Sequence, residues 1–184
     1  MLLKYRVPHR KDNPNAELQD AQRALSIVRG KAKEWNLDNT RIGMLGFSAG
    51  GHLTAHASTN FDKRSYEAVD ASDKESCRPD FAIVIYPGGL VDQTKEKLRP
   101  EIRVNKETPP MFVAQSNDDR VGPENSVVLY LALKKAGVPA ELHIFATGGH
   151  GYGMRQTKSP SSEWPKRCED WLRTQKVLKT TADK

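Results

Sequence analysis

The segment Arg41-Ile-Gly-Met-Leu-Gly-Phe-Ser-Ala-Gly-Gly-His52 combines an apolar strand, a tight turn and the start of a helix. Its centre, Gly46-Phe-Ser-Ala-Gly50, matches the Gly-x-Ser-x-Gly pattern of a nucleophile elbow, in which a serine is raised on a strained turn. We expect side chains at positions 46 and 50 to collide with the framing strand and helix, so that both positions require glycine. The helix would also point unpaired N–H groups at Ser48, which makes the Ala49 N–H a predicted oxyanion-hole donor.

The rest of the chain alternates predicted strands and helices. Apolar segments predict five strands, at residues 2–7, 42–47, 81–86, 111–115 and 141–146. Helices are predicted at about 15–35, 49–58, 124–137 and 163–178, from helical spacing of apolar residues and the breaks around them. Continuous apolar strands that alternate with helices are typical of a parallel sheet covered on both faces. We therefore predict an α/β fold, doubly wound, with a mainly parallel sheet of about five strands in one domain spanning residues 1–184.

Three polar segments interrupt this pattern and are predicted to be loops. Residues 8–14 contain two prolines and should be exposed. Residues 60–80 are charged and poor in hydrophobic residues, so we expect at most a short helix there. Residues 90–108 form a second polar excursion, which would cover part of a functional site.

The composition argues against some classes of partner. The chain of 184 residues carries a net charge of +6, but its basic residues are dispersed and form no patch interleaved with aromatic residues. A solvated surface is therefore favoured over a nucleic-acid site. No apolar run reaches membrane-spanning length, and the first six residues lack the apolar region of a signal peptide. Cys77 and Cys168 fit no metal-ligand spacing, and two unpaired thiols are favoured over a disulfide between them.

Chemically useful side chains follow three of the predicted strands. Ser48 follows strand 42–47, Asp118 and Asp119 follow strand 111–115, and His150 follows strand 141–146 in a glycine-rich loop. Because function gathers at the carboxyl ends of parallel strands, these groups should meet at one edge of the sheet. A serine hydroxyl needs a base to become a nucleophile, a histidine can be that base, and a carboxylate can orient the histidine. The order Ser, Asp, His predicts a catalytic triad of the α/β-hydrolase type.

Each of these residues also has a simpler interpretation. The paired aspartates could be ordinary turn formers, and His150 could be a loop histidine without a chemical role. The three suitable residue types at three strand ends make such a coincidence improbable. His52 and His56 have a metal-compatible spacing, but no third ligand accompanies them, so packing roles are favoured. His9 and His143 have no partner that the sequence identifies.

Four motifs carry a resemblance to a known family: Gly46-Phe-Ser-Ala-Gly-Gly-His52, Tyr86-Pro-Gly88, Asn117-Asp-Asp-Arg-Val121 with Glu124-Asn-Ser126, and Gly148-Gly-His-Gly-Tyr-Gly153. Over nearly its whole length the chain resembles the α/β-hydrolase esterases, and within them the acetyl-xylan-esterase and feruloyl-esterase-like group. The resemblance implies that Ser48 is the nucleophile, His150 the base and Asp119 the acid, with Asp118 as the fallback. It also implies hydrolysis of small acyl esters, such as acetyl or feruloyl groups on xylan, without a metal or cofactor.

The chain departs from the family pattern at its start. Members carry a His-Gly-Gly-type loop that gives the second oxyanion donor, and this sequence has no such motif. The resemblance places residues 2–7 at the family's fourth strand and residues 42–47 at its fifth, without the third strand that separates them. We expect these two strands to pair directly or to leave an apolar edge exposed. We also expect a truncated N-terminus, with which any export signal would have been lost.

Two alternatives to an esterase stay open. A serine peptidase of the prolyl-oligopeptidase type shares the fold and the order of the triad, although those enzymes usually carry an aromatic residue where this chain has Ala49. The second alternative is an inert remnant, since half of the oxyanion hole and part of the sheet are missing.

Overall fold

A four-stranded parallel sheet forms the centre of the protein. The computed structural model describes residues 1–7 and 12–178. Within them the strands are β1 (Gly43–Phe47), β2 (Phe81–Ile85), β3 (Met111–Ser116) and β4 (Ala140–Phe145). They lie in the order β1-β2-β3-β4, and every neighbouring pair is parallel. β3 is buried along its whole length, as expected of an inner strand that is covered on both faces.

Four α-helices surround the sheet: α1 (Ala16–Gly30), α2 (Ala49–Ser58), α3 (Glu124–Lys135) and α4 (Trp164–Thr174). All four were predicted, and the largest errors lie at carboxyl ends. α1 ends at Gly30, where the predicted helix continued to residue 35, because residues 31–36 form turns. Gly137 follows the end of α3 at a φ of +74°, the left-handed conformation that commonly ends a helix and that glycine adopts without strain.

The alternation of side chains along β2 and β3 separates two apolar cores. One core packs against α2 and α3 and contains Ala82, Val84, Met111, Val113, Leu129 and Leu133. The other packs against α4 and contains Ile83, Ile85, Phe112, Ala114, Trp164 and Trp171. Helices therefore cover both faces of the sheet, which confirms the doubly wound α/β prediction with four strands in place of five.

The prediction of a strand at residues 2–7 is wrong. These residues have no regular structure, and Leu3 and Tyr5 pack against a cluster formed by α1 and α2. The backbone N–H of Arg6 donates to the carboxylate of Asp20 at 2.8 Å, so it makes its bond with α1 and not with a strand. Among the described residues, β1 consequently pairs only with β2, and Leu45 on β1 is 46% exposed. Of the two expected arrangements, the exposed edge is the one observed.

The segment 60–80 is fastened to α1 by polar contacts. It contains only a short 3₁₀ helix, Ala71–Lys74, as predicted. The fully buried carboxylate of Asp73 contacts Arg23 at 2.9 Å and accepts hydrogen bonds from the Tyr66 hydroxyl and the Val69 N–H. Part of the predicted loop 8–14, residues 8–11, lies outside the described residues.

Two further sequence predictions concern thiols and membranes. Cys77 and Cys168 are both free and buried, and burial raises the pKa of Cys168 to about 12. No helix in residues 1–7 and 12–178 combines the length and the apolar character needed to cross a bilayer.

Candidate active site

Ser48 stands on the turn between β1 and α2 in a strained backbone conformation. Its φ of +54° and ψ of −117° lie in a region that non-glycine residues rarely adopt. The Ser48 N–H donates to the Ile85 carbonyl at 3.0 Å, and the Ser48 carbonyl accepts from the His52 N–H at 3.0 Å. These two bonds hold the turn between β2 and the first turn of α2, so the backbone of the serine is fixed from both sides.

The glycines of this turn differ in how much space a side chain would find at their positions. A Cβ at Gly46 would overlap the Gly50 carbonyl and approach the Thr54 hydroxyl at 2.5 Å. A Cβ at Gly50 would meet nothing within 4 Å, so the expected collision at position 50 is wrong. The second crowded position is Gly51, where a Cβ would lie 3.1 Å from the Ile85 carbonyl oxygen. Position 50 therefore has open space for a side chain, although the motif treats it like position 46.

The structure brings Ser48, His150 and Asp119 into one hydrogen-bonded chain. Ser48 Oγ lies 2.8 Å from His150 Nε2. His150 Nδ1 lies 2.9 Å from Asp119 Oδ2 and 3.0 Å from Asp119 Oδ1. Because an ionised carboxylate only accepts, Nδ1 carries the hydrogen and Nε2 is left to accept from the serine hydroxyl. The Asp119 side chain is fully buried, whereas that of His150 keeps 16% exposure.

Asp119 is held by two further donors besides His150. The Val121 N–H donates to Oδ1 at 2.8 Å, and Gln115 Nε2 donates to Oδ2 at 3.1 Å. Gln115 is itself fully buried, and its amide oxygen accepts from the Ser126 hydroxyl at 2.5 Å. Sequence analysis missed Gln115 as a site residue. The available signal was a polar amide near the end of an otherwise apolar strand.

Asp118 has a different position from its neighbour. Its carboxylate accepts hydrogen bonds from the Gly149 N–H at 2.8 Å and from the Gly148 N–H at 3.3 Å. Asp118 therefore fastens the loop that carries His150 and does not contact the imidazole. The geometry favours Asp119 as the acid over Asp118, the fallback.

The helix α2 begins directly after the serine. Since the first N–H groups of a helix have no partner inside it, the N–H of Ala49 lies beside Ser48 as a free donor at the positive end of the helix dipole. When Ser48 Oγ attacks a carbonyl carbon, the negative charge that forms on the carbonyl oxygen would be stabilised there. With a base on the hydroxyl and a donor at the helix start, the arrangement can carry out acyl transfer.

The other histidines that the structure describes have structural partners. A ring nitrogen of His52, Nδ1, lies 3.0 Å from the Gly88 carbonyl oxygen, and the His52 ring packs edge-on against His56. Burial, with a smaller contribution from His52, lowers the pKa of His56 to about 4. His143, for which no partner was predicted, contacts the Glu141 carboxylate at 2.7 Å, while His9 lies outside the described residues. The described part of the chain holds no group of three or more metal-ligating side chains.

Comparison with known proteins gives two family matches. A family described as BD-FAE matches residues 1–97, and the Prolyl oligopeptidase family matches residues 92–177. An acetylxylan esterase from Xylanibacter ruminicola is 30% identical in an alignment 182 residues long, and the alignment covers 83% of this chain. The chain spans 34% of the length of that relative.

Solved structures give the same fold. A crystal structure of an acetyl ester-xyloside bifunctional hydrolase from Caldicellulosiruptor lactoaceticus is 36% identical with a TM-score of 0.83, covering 95% of this chain and 71% of that one. An α/β hydrolase from a Medee basin deep-sea metagenome is 28% identical with a TM-score of 0.74, covering 96% of this chain and 70% of the other. The chain therefore shares most of its architecture with α/β hydrolases.

Proposed function

We propose, because the chain belongs to the BD-FAE family, that it is a serine hydrolase that cleaves carboxylic esters through an acyl-enzyme. The observation that carries the proposal is the continuous contact from Ser48 Oγ through His150 to the buried carboxylate of Asp119. Both relevant atom pairs, Oγ to Nε2 and Nδ1 to Oδ2, are within hydrogen-bond reach.

In the first half of the reaction, Ser48 Oγ attacks the carbonyl carbon of the ester. His150 Nε2 takes the hydroxyl proton as the new bond forms, and the imidazolium that results is stabilised by the Asp119 carboxylate. The negative charge on the former carbonyl oxygen faces the Ala49 N–H. Collapse of the tetrahedral intermediate breaks the bond to the alcohol, which leaves with the proton from His150.

In the second half, water repeats these steps on the acyl-serine. His150 now accepts a proton from water, and the hydroxide equivalent attacks the acyl carbon. When the second intermediate collapses, the carboxylic acid leaves and Ser48 recovers its proton. No step requires a metal ion or a cofactor.

The substrate class follows from the relatives. The acetylxylan esterase and the acetyl ester-xyloside hydrolase point to acetyl groups carried by a plant polysaccharide such as xylan. Feruloyl groups, which the sequence resemblance implies, are the other acyl group that we propose. The polysaccharide would approach from the solvent side, where His150 is partly exposed.

Hydrolysis of p-nitrophenyl acetate tests this function with two serine variants, one just before α2 and one at its last residue. Ser48→Ala removes the proposed nucleophile, and we expect kcat to fall at least about 1000-fold. Ser58→Ala removes a buried hydroxyl that has no hydrogen-bond partner, and it should keep the wild-type rate. Equal rates for the wild type and Ser48→Ala would refute the function and would support the inert-remnant alternative.

A serine peptidase is the second candidate, favoured by the match of residues 92–177 to the Prolyl oligopeptidase family. That match covers the segments that carry Asp119 and His150, which the two hydrolase classes share. Ala49 argues for the esterase, because the peptidases usually carry an aromatic residue there. Turnover of a dipeptide p-nitroanilide above that of p-nitrophenyl acetate would reverse the choice.

A further inference from the structure

Tyr86 is a buried aromatic residue in a strained conformation at the carboxyl end of β2. Its φ is +39°, which is a genuine outlier for a bulky residue, and its relative exposure is 4%. The Tyr86 N–H donates to the Ala114 carbonyl at 2.7 Å, so β3 holds the strained backbone in place. Strain of this kind persists only where the surroundings fix it, and it concentrates at functional sites.

The ring of Tyr86 lies against the imidazole of His150. The two ring centroids are 5.1 Å apart and the planes meet at 68°, an edge-to-face arrangement. The Tyr86 ring also packs against Phe47, the residue before Ser48, and against Tyr152. The centroid distances are 5.7 Å to Phe47 and 4.5 Å to Tyr152. The Tyr86 ring therefore connects the strand that carries the serine to the loop that carries the histidine.

The hydroxyl of Tyr86 makes a second contact with that loop. It accepts a hydrogen bond from the Gly153 N–H at 3.1 Å, on the carboxyl side of His150. Asp118 holds Gly148 and Gly149 on the amino side. Burial raises the pKa of the Tyr86 hydroxyl, against the opposing effect of the Gly153 N–H, so the group is neutral near pH 7.

Such anchoring matters because the loop is rich in glycine. Its glycines at 148, 149, 151 and 153 all have positive φ, and a residue without a Cβ restricts the backbone less than any other. The imidazole must stay within hydrogen-bond reach of both Ser48 and Asp119, and a misplacement of about 1 Å can lower a rate about 100-fold.

We propose that Tyr86 is a positioning residue for His150. Its ring fixes the plane of the imidazole, and its hydroxyl fixes the loop on the carboxyl side. The inference rests on the proposed function, because it takes His150 as the base.

The test uses Tyr86→Leu, Tyr86→Phe and the control Phe112→Leu. Phe112 is a fully buried ring of the same apolar core, but it contacts His143 and Trp171 and not His150. With p-nitrophenyl acetate we expect Tyr86→Leu to lower kcat about 10- to 100-fold with KM within twofold of wild type. Tyr86→Phe keeps the ring and should recover most of kcat. Phe112→Leu should lower Tm without lowering kcat.

A second measurement decides the inference even if the chain hydrolyses no ester. The low-field NMR resonance of the His150 Nδ1 proton, assigned by its absence in Asp119→Asn, reports the bond between the imidazole and the carboxylate. It should be sharp in the wild type and Phe112→Leu, and broadened or shifted in Tyr86→Leu.

Two results would overturn the positioning role. One is an unchanged resonance and an unchanged kcat in Tyr86→Leu, with a loss of Tm equal to that of Phe112→Leu. The other is a wild type without the resonance, since the imidazole would then not be held at all. A wild type no more active than Ser48→Ala, but with the resonance lost in Tyr86→Leu alone, would refute the proposed function and support the positioning role.

Discussion

Asp118 and Asp119 are adjacent carboxylates whose surroundings give them separate tasks. Asp119 points inward, where its side chain is fully buried and lies on His150 Nδ1. Asp118 points to the glycine loop and accepts two backbone N–H groups. One residue therefore faces the imidazole and the next holds the backbone that presents it.

The two aspartates should differ sharply on substitution. In Asp119→Asn the amide can offer the imidazole the wrong tautomer, and we expect kcat for p-nitrophenyl acetate to fall about 10,000-fold. Asp118→Asn keeps one acceptor for the loop, so its kcat should fall less than about tenfold. Comparable losses in both variants would contradict this division of roles.

At this scale the sequence could supply residue types but not their contacts. The order of Ser48, Asp118 or Asp119, and His150 was visible, because strand ends converge in a parallel sheet. The choice between the aspartates came from the family resemblance, since both follow the same strand. Gln115 and Tyr86 could not be assigned, because their roles depend on which way their side chains point.

The element that does most to shape the site is the junction of β1 and α2. The strand and helix cross so closely at Gly46 that the Gly50 carbonyl occupies the space of a side chain. The two glycines around Ser48 look equivalent in the sequence, but only position 50 has space for a side chain. The Gly-x-Ser-x-Gly motif alone could not predict this difference, because it names glycine at both positions and says nothing about the space around each.

Alanine substitutions at the two positions measure that asymmetry. Gly46→Ala must push α2 away from β1, and we expect a loss of stability of at least about 3 kcal/mol, with activity lost as well. Gly50→Ala lies in a helix with open space, so stability should rise slightly or stay constant. Urea denaturation of both variants gives the comparison, and a Gly46→Ala variant as stable as Gly50→Ala would show that the junction can relax.

At the scale of the whole molecule, charge contacts between residues far apart in the sequence join α1 to the segment 60–80. Asp73 is the centre of these contacts, with Arg23, Tyr66 and the Val69 N–H around it. Burial by itself would raise the pKa of the Asp73 carboxyl, but these hydrogen bonds outweigh burial and hold the pKa below its ordinary value. The contacts thus favour the ionised form.

A lowered pKa makes stability depend on pH in a fixed direction. The contribution of Asp73 is present above the unfolded-state value of about 3.9 and is lost as pH falls through the folded-state pKa. Asp73→Asn should therefore lower the free energy of unfolding by about 3 kcal/mol at pH 7, with a smaller difference near pH 3. Chemical denaturation at both pH values checks this, and the same difference at each would exclude ionisation of Asp73 as the cause.

The overall architecture was largely predictable from the sequence, and the one wrong strand prediction has a physical cause. Alternating apolar strands and helices indicated the α/β class, and four of the five strands formed. Residues 2–7 are apolar enough for a strand, but an apolar pattern favours burial and does not specify whether the backbone pairs with a sheet edge. In this structure Leu3 and Tyr5 bury themselves against α1 and α2 instead.

Because Asp73 binds both Tyr66 and Val69, the two residues between them are a natural attachment point. The carboxylate binds Tyr66 on one side and Val69 on the other, while Glu67 and Ala68 between them are exposed. A peptide tag inserted between these two residues would extend a loop whose ends are already fastened, and loop-closure entropy grows only slowly with length. The protein could then be immobilised or labelled there, with both of its termini left free.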